Sequence, residues 1–292
     1  MIYAIGDIHG QHTMLNVLLD KLLALPIQPE DTVVFLGDYV DRGENSRGVI
    51  ETLLQWRVQH ADTVFLRGNH EQLLLDSYGA ASEAAAMPNQ ALRAQLTLTW
   101  LQNGGVETLL SYAPSGFQEW CESVGYVLLR IPAGPLAAFK ASFAHWLEAI
   151  PPLHLEFLQA TRMDYVTPDY HFVHAGLLTP GTTWASEGWT IDPRLWIREP
   201  FLSSRADFNG RIVVFGHTPQ RKGRPLIHRN KIGLDTGAAF GGPLTAGIFG
   251  SPTHAPRFLQ APSLRPSPQA YGDSARSAPA SSRASAARSS RK

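Results

Sequence analysis

The sequence predicts an α/β fold with a mostly parallel sheet, and three observations carry that prediction. Through the first 75 residues, short β-branched or aromatic runs alternate with amphipathic stretches. Each run ends in Gly-Asp or Gly-Asn before the next stretch begins; with short connections, this is the pattern of βαβ units. Apolar residues make up 44% of the 292-residue chain and charged residues 17%, a globular balance with enough material for a sizeable core.

Taken in order, residues 2–5, 32–36 and 63–66 read as strands. Residues 13–25, 46–58 and about 70–78 read as the helices that follow them. Residues 79–168 form a different block, with helix candidates at 92–101, 117–123, 136–149 and 153–161 separated by Gly104-Gly105 and several prolines. The block reads as a helical insertion covering one side of the sheet. Strand signals return at 170–173, 211–215, 231–234 and 245–249. Beyond residue 260 the chain is rich in Ser, Ala, Pro and Arg with little to bury, and reads as a disordered tail over 261–292. The expected division is a catalytic unit over 1–260, carrying the insertion, and that tail.

Net formal charge is zero, which speaks against a general polyanion binder. The charge is uneven: the last 32 residues hold six bases and one acid, leaving the first 260 at −5. The tail has one aromatic, Tyr271, so specific nucleic-acid binding is not expected. A single cysteine, Cys121, excludes an intrachain disulfide and fits a reducing compartment; it reads as a small apolar residue, not a reactive thiol. Without a signal-peptide pattern or an apolar run of 18 residues, a cytoplasmic protein is expected.

Five segments sit directly after strands: Gly6-Asp7-Ile8-His9-Gly10, residues 37–43 from Gly37-Asp38 to Asp41-Arg42-Gly43, Gly68-Asn69-His70-Glu71, Val173-His174-Ala175-Gly176 and Phe215-Gly216-His217-Thr218. Carboxyl ends of parallel strands share one edge, so Asp7, His9, Asp38, Asn69, His174 and His217 can converge there. A lone Gly-Asp is usually a turn, but five such fragments in order are a metal-site signal. Mixed Asp, His and Asn donors suit Mn²⁺, Fe or Zn²⁺ better than Ca²⁺. Six ligands exceed the need of one tetrahedral ion and suit two, with Asp38 chosen as the shared carboxylate. The seven other histidines carry no spacing argument.

These segments resemble the signature of the calcineurin-like metallophosphoesterases. Asp41-Arg42-Gly43 and Asn69-His70-Glu71 are similar to the phosphoprotein phosphatases among them, in particular the short bacterial and phage-type members. Leu195-Trp196-Ile197-Arg198-Glu199 resembles an Arg-bearing segment of the phage-type enzymes. The resemblance implies a four-layer α-β-β-α sandwich with metals at one edge. It places Asp7, His9 and Asp38 on one ion, and Asp38, Asn69, His174 and His217 on the other. It implies two divalent ions per chain, Mn²⁺ first and Fe or Zn²⁺ next, with a hydroxide between them attacking phosphorus in line. His70 matches the proton donor to the leaving alkoxide, and Asp41 the carboxylate that orients it. Arg42, Asn69 and Arg198 match phosphate-binding positions, although Arg194, Arg205 and Arg221 lie near Arg198. Asp235 reads equally as support for a ligand or as a turn-capping residue.

Three functions compete. The first is a serine/threonine protein phosphatase, with phosphotyrosine activity open. The second is a symmetrical bis(5′-nucleosyl)-tetraphosphatase, whose relatives typically lack an Asp at position 41 and carry Asp at position 71. The third is a catalytically inactive scaffold, which nothing in the residues supports. Asp41 and Glu71 favour the first, with small phosphorylated metabolites also open. Residues 238–242 lack the Ser-Ala-Pro-Asn-Tyr-Cys stretch of the larger eukaryotic members, so toxin sensitivity and regulatory subunits are not expected.

Overall fold

The computed structural model describes residues 1–81, 90–113, 115–117, 119, 146–186, 188 and 191–263. In chain order the main elements are β1 (Ile2–Ile5), α1 (His12–Leu23), β2 (Thr32–Phe35), α2 (Ser46–Gln59), β3 (Thr63–Phe65) and α3 (Asn69–Ala81). Then come α4 (Gln90–Trp100), a π-helical turn (Leu101–Gly105), α5 (Val106–Tyr112), α6 (Pro152–Gln159), β4 (Asp164–Val166) and β5 (Tyr170–Val173). The chain closes with α7 (Pro193–Trp196), β6 (Ile212–Phe215), β7 (Leu226–His228), β8 (Lys231–Gly233), β9 (Leu244–Phe249) and β10 (Arg257–Ala261). None of the described helices is long and apolar enough to cross a membrane.

Among the described residues, ten strands form two five-stranded sheets, ordered β10-β9-β1-β2-β3 and β4-β5-β6-β8-β7. The strands β1, β2 and β3 pair in parallel, as do β5, β6 and β8. The other four pairings are antiparallel, so parallel pairing holds only for β1-β2-β3, which runs to one edge of the first sheet, and for β5-β6-β8, the middle of the second. The pairs β4-β5, β7-β8 and β9-β10 follow one another through short connections, which can join only antiparallel neighbours. Three of the edge strands, β4, β7 and β10, had no strand signal: two are three residues long and all are partly exposed, so little apolar alternation marks them.

Alternation along the strands builds the layers. Tyr3, Ile5, Val33 and Phe35 face a core shared with α1 and α2, whose Leu15, Leu18, Leu22, Val49, Ile50 and Leu53 recur at helical spacing. Ala4, Val34 and Leu36 point the other way and meet Phe172, Val214, Ile232 and Leu234 of the second sheet. Val213 and Phe215 face outward from that second sheet onto Ile197, Phe201 and Phe208. The fold is therefore an α/β sandwich of two mixed sheets with helices outside. Among the described residues the fourth layer is mainly the 197–208 segment with short α7 beside it. Burying each such side chain stabilises the fold by roughly 1.5–3 kcal/mol.

Within the 79–168 block, the expected break at Gly104-Gly105 is present: Gly104, at φ 111°, is non-helical and kinks the chain between α4 and α5. The block also holds a strand, β4, and Arg162 bridges to Leu66 beside β3. Most of the helices expected over 117–123 and 136–149 lies outside the described residues, as do Cys121 and the tail beyond residue 263.

Candidate metal centre

Each predicted segment leaves the carboxyl end of a parallel strand. Asp7 and His9 follow β1, Asp38, Asp41 and Arg42 follow β2, and Asn69 and His70 open α3 just after β3. From the second sheet, His174 follows β5, His217 follows β6 and Asp235 follows β8. Main-chain bonds lash these turns together: the amides of Ile8 and His9 donate to the Asp38 carbonyl at 3.0 and 2.8 Å, and that of Gly216 to the His174 carbonyl at 2.7 Å. His9, Asp38, Asp41, Arg42 and His217 have φ values between 47° and 73°. Such left-handed conformations cost a non-glycine residue about 1–3 kcal/mol, and they gather at functional sites.

Glu71 fastens the loops that carry Asp38. Its carboxylate accepts the amides of Asp38 (2.8 Å), Tyr39 (2.7 Å) and Gly68 (2.8 Å). Gly68 is required by packing, because a Cβ there would lie 2.1 Å from the Asp38 carboxylate. Glu71 faces the main chain and supports these loops.

Asp38 sits at the middle of the site. Its Oδ2 lies 3.3 Å from His9 Nε2 and its Oδ1 3.4 Å from His174 Nε2, so its two oxygens face different histidines. Donor atoms of His9, Asp38 and His70 all lie within 4.8 Å of one another, and those of Asp38, His174 and His217 form a second such group. Asn69 joins the second group through Oδ1, 3.0 Å from His174 Nε2 and 2.9 Å from His217 Nδ1. Asp7 belongs to neither group; its carboxylate accepts the main-chain amide of His217 at 3.1 and 2.9 Å. All six residues are buried.

Main-chain bonds at Nδ1 orient the rings of His9 and His174. Nδ1–H of His9 donates to the Val40 carbonyl at 3.0 Å, and Nδ1–H of His174 to the Leu36 carbonyl at 2.9 Å. Backbone partners of this kind orient metal-binding imidazoles. Nε2 of His9 accepts from the Arg42 guanidinium at 2.7 Å, while Nε2 of His217 and of His70 are buried without a partner.

Charge makes the same point. Burial, reinforced by Asp235 and Asp38, pushes the Asp7 carboxyl well above its usual range. Burial, with the nearby Asp38 charge adding to it, pushes Asp235 up to about 6 and Glu71 up to about 7. Burial works against an ionised Asp38 too, but the surrounding His174, His70, His9 and His217 hold its carboxyl below that range. His9 and His217 are driven well below the usual imidazole value and His174 below it, chiefly by burial, which favours the neutral form that binds metal. Crowded buried carboxylates beside neutral imidazoles fit divalent cations in this pocket.

Beside this cluster, His70 Nδ1 donates to Asp41 Oδ2 at 2.7 Å. Arg42 is held over the Phe240 ring at 5.4 Å. Arg198 is half-buried and donates from Nη2 to the His217 carbonyl at 3.3 Å, so it stands at the site. Arg194 does not; it pairs with Asp192 at 2.8 Å and Asp164 at 3.1 Å. Asp235 accepts the Gly237 amide at 3.0 Å, the turn-capping role, while its charge also acts on Asp7.

A model of the calcineurin-like phosphoesterases matches residues 1–233. The chain belongs to the calcineurin-like phosphoesterase family. It is similar to serine/threonine-protein phosphatase 1 of Salmonella typhimurium, with 30% identity over 246 residues, 84% of this chain and 89% of that one. A solved structure named "putative diadenosine tetraphosphatase" aligns with a TM-score of 0.53 at 20% identity, covering 89% of this chain and 93% of that one; at that identity the likeness shows the fold alone. This phosphoesterase is thus a hydrolase of phosphoesters, in a family that works with a dinuclear metal centre, and its His and Asp groups fit one.

The sequence reading missed two residues at this site. Trp100 and Thr108 both bond to Asp41. No signal pointed to them, because a Trp at helical spacing reads as core.

Proposed function

We propose that this phosphoesterase is a phosphomonoesterase acting on phosphoserine and phosphothreonine in proteins. The observation that carries the reading is the 2.7 Å bond between His70 Nδ1 and Asp41, which leaves His70 Nε2 buried and unpartnered beside Asp38 and His9. A serine or threonine alkoxide is a poor leaving group, and a positioned acid is typically worth about 10²–10⁴ in rate. Phosphate and nucleoside diphosphate leave more readily and have less need of one. The similarity to a bacterial serine/threonine phosphatase supports the same reading.

Asp7, His9 and Asp38 would hold one cation, and Asp38, Asn69, His174 and His217 the other, with Mn²⁺ the ion the family resemblance implies first and Fe or Zn²⁺ next, all three compatible with mixed His, Asp and Asn donors. When bound, the pair supplies Lewis-acid charge and an attacking water of lowered pKa. Arg42 and Arg198 clamp the phosphoryl oxygens through their planar guanidinium groups, with Asn69 beside them. His70 delivers a proton from Nε2 to the departing oxygen. Asp41 holds the ring by its Nδ1–H and stabilises the charge on it. Residues 1–260 form the catalytic unit, the 79–168 block shapes access to it, and the 261–292 tail is dispensable. The single cysteine supports a cytoplasmic location.

The test is a direct comparison of kcat/KM for a phosphothreonine peptide and for diadenosine tetraphosphate with the Mn²⁺-loaded chain. Faster peptide turnover is expected. A clear preference for the dinucleotide transfers the assignment to the tetraphosphatase reading.

A further inference from the structure

Asp41 is fully buried, and its carboxylate is gripped from outside the strand-end loops. Trp100 Nε1 donates to Oδ1 and Oδ2 at 3.0 Å each, and Thr108 Oγ1 donates to Oδ1 at 2.7 Å. The Thr108 oxygen also accepts the Asp41 amide at 2.9 Å and lies 2.9 Å from Ser46 Oγ. One hydroxyl proton and two lone pairs are then all in use. Between Trp100 and Thr108 runs the π-helical turn, where the Gly104 carbonyl accepts the Arg42 amide at 3.1 Å. A Cβ on Gly104 would lie 2.7 Å from that same amide nitrogen. One nine-residue stretch therefore contacts both Asp41 and Arg42.

The break in helical geometry makes this possible. In an unbroken α-helix, residues eight apart point about 80° away from each other. The kink at Gly104, with its positive φ, allows Trp100 and Thr108 to reach one carboxylate. With Trp100, Thr108 and His70 all donating, Asp41 serves as acceptor only, and Oδ2 is left facing the His70 ring.

We infer that Trp100 and Thr108 are positioning residues for proton delivery: they fix the Asp41 carboxylate so that it holds His70 with Nε2 toward the reacting centre. This rests on the roles given above to His70 and Asp41. It gives the first part of the 79–168 block a task in the chemistry besides shaping access. A purely structural role, core packing by a buried Trp and Thr, makes a different prediction, because loss of packing slows all substrates alike.

The experiment measures kcat and KM of Trp100→Phe, Thr108→Val, Thr108→Ser and His70→Asn on a phosphothreonine peptide and on an aryl phosphate. It uses the full-length, metal-loaded enzyme, with metal content and Tm followed in parallel. Trp100→Phe and Thr108→Val are expected to lower kcat on the peptide by roughly tenfold, with KM and metal content unchanged and a smaller effect on the aryl ester. Thr108→Ser, which keeps the hydroxyl, restores the rate. In the diamagnetic Zn²⁺-loaded chain, the low-field Nδ1–H proton signal that His70→Asn abolishes is expected to shift in both variants. Equal losses on the two esters, or unchanged peptide turnover in a folded Thr108→Val variant, overturns the inference. If His70→Asn is selective and the Trp100 and Thr108 variants are not, this inference alone falls. If His70→Asn shows no selectivity, the role of His70 falls and takes the inference with it.

Discussion

His70→Asn is expected to lower kcat on an alkyl phosphate by about 10²–10⁴-fold, equivalent to about 3–5 kcal/mol of transition-state stabilisation. An aryl phosphate, whose leaving group needs less protonation, is expected to lose much less. Asn can still donate toward Asp41 and be packed in the same place, but it has no Nε2 to supply a proton. His70 Nδ1 is engaged with Asp41 at 2.7 Å, so one ring nitrogen anchors and the other acts. The predicted cation ligands Asp7, His9, Asp38, Asn69, His174 and His217 are untouched by the change, so metal content is expected to hold. Steady-state kinetics on paired alkyl and aryl esters, with elemental analysis of the same preparation, checks both halves. Equal losses on the two esters would remove His70 from proton transfer.

Asp38→Asn is expected to be the most damaging single change at the cation site. The two Asp38 oxygens face His9 at 3.3 Å and His174 at 3.4 Å, so this side chain belongs to both donor groups. Replacing it with a neutral amide removes the one negative charge common to both. The amide oxygen can still accept the His70 main-chain N–H, which the carboxylate accepts at 3.1 Å, so the loop has a reason to stay in place. Metal content is expected to fall from two per chain to one or fewer, and kcat by at least about 10³-fold, since bound ions supply several kcal/mol. Elemental analysis after dialysis checks the first and turnover the second. Two retained ions with near-normal turnover would remove Asp38 from the bridging position.

The strand-end segments were legible because each combines a β-branched run with a glycine and a polar residue, a pattern that does not depend on distant contacts. Asp7, His9, Asp38, Asn69, His174 and His217 were picked out that way, and the carboxyl ends of the parallel strands in the two sheets bring them together. Three of the four edge strands were not legible: β4 and β7 are three residues long and β10 is partly exposed, and their identity comes from pairing partners, not from their own composition. The kink at Gly104 was legible because Gly104-Gly105 carries a break signal locally, while its contact with Arg42 comes from tertiary packing. The roles of Trp100 and Thr108 were invisible because their contacts with Asp41 come from tertiary packing too. Nothing in the spacing of a Trp and a Thr eight residues apart says that both reach Asp41. Glu71 was legible as a family letter, but its role in the fold, holding the amides around Asp38, comes from tertiary contacts that the sequence does not show.

The central claim is that Asp38 is shared by two cations. Anomalous diffraction from crystals of the Mn²⁺-loaded chain tests it most directly. The expected map shows two peaks about 3.5–4 Å apart, one on the His9 side of Asp38 and one on the His174 side. A single peak, or a pair of peaks away from Asp38 in a fully active preparation, contradicts it.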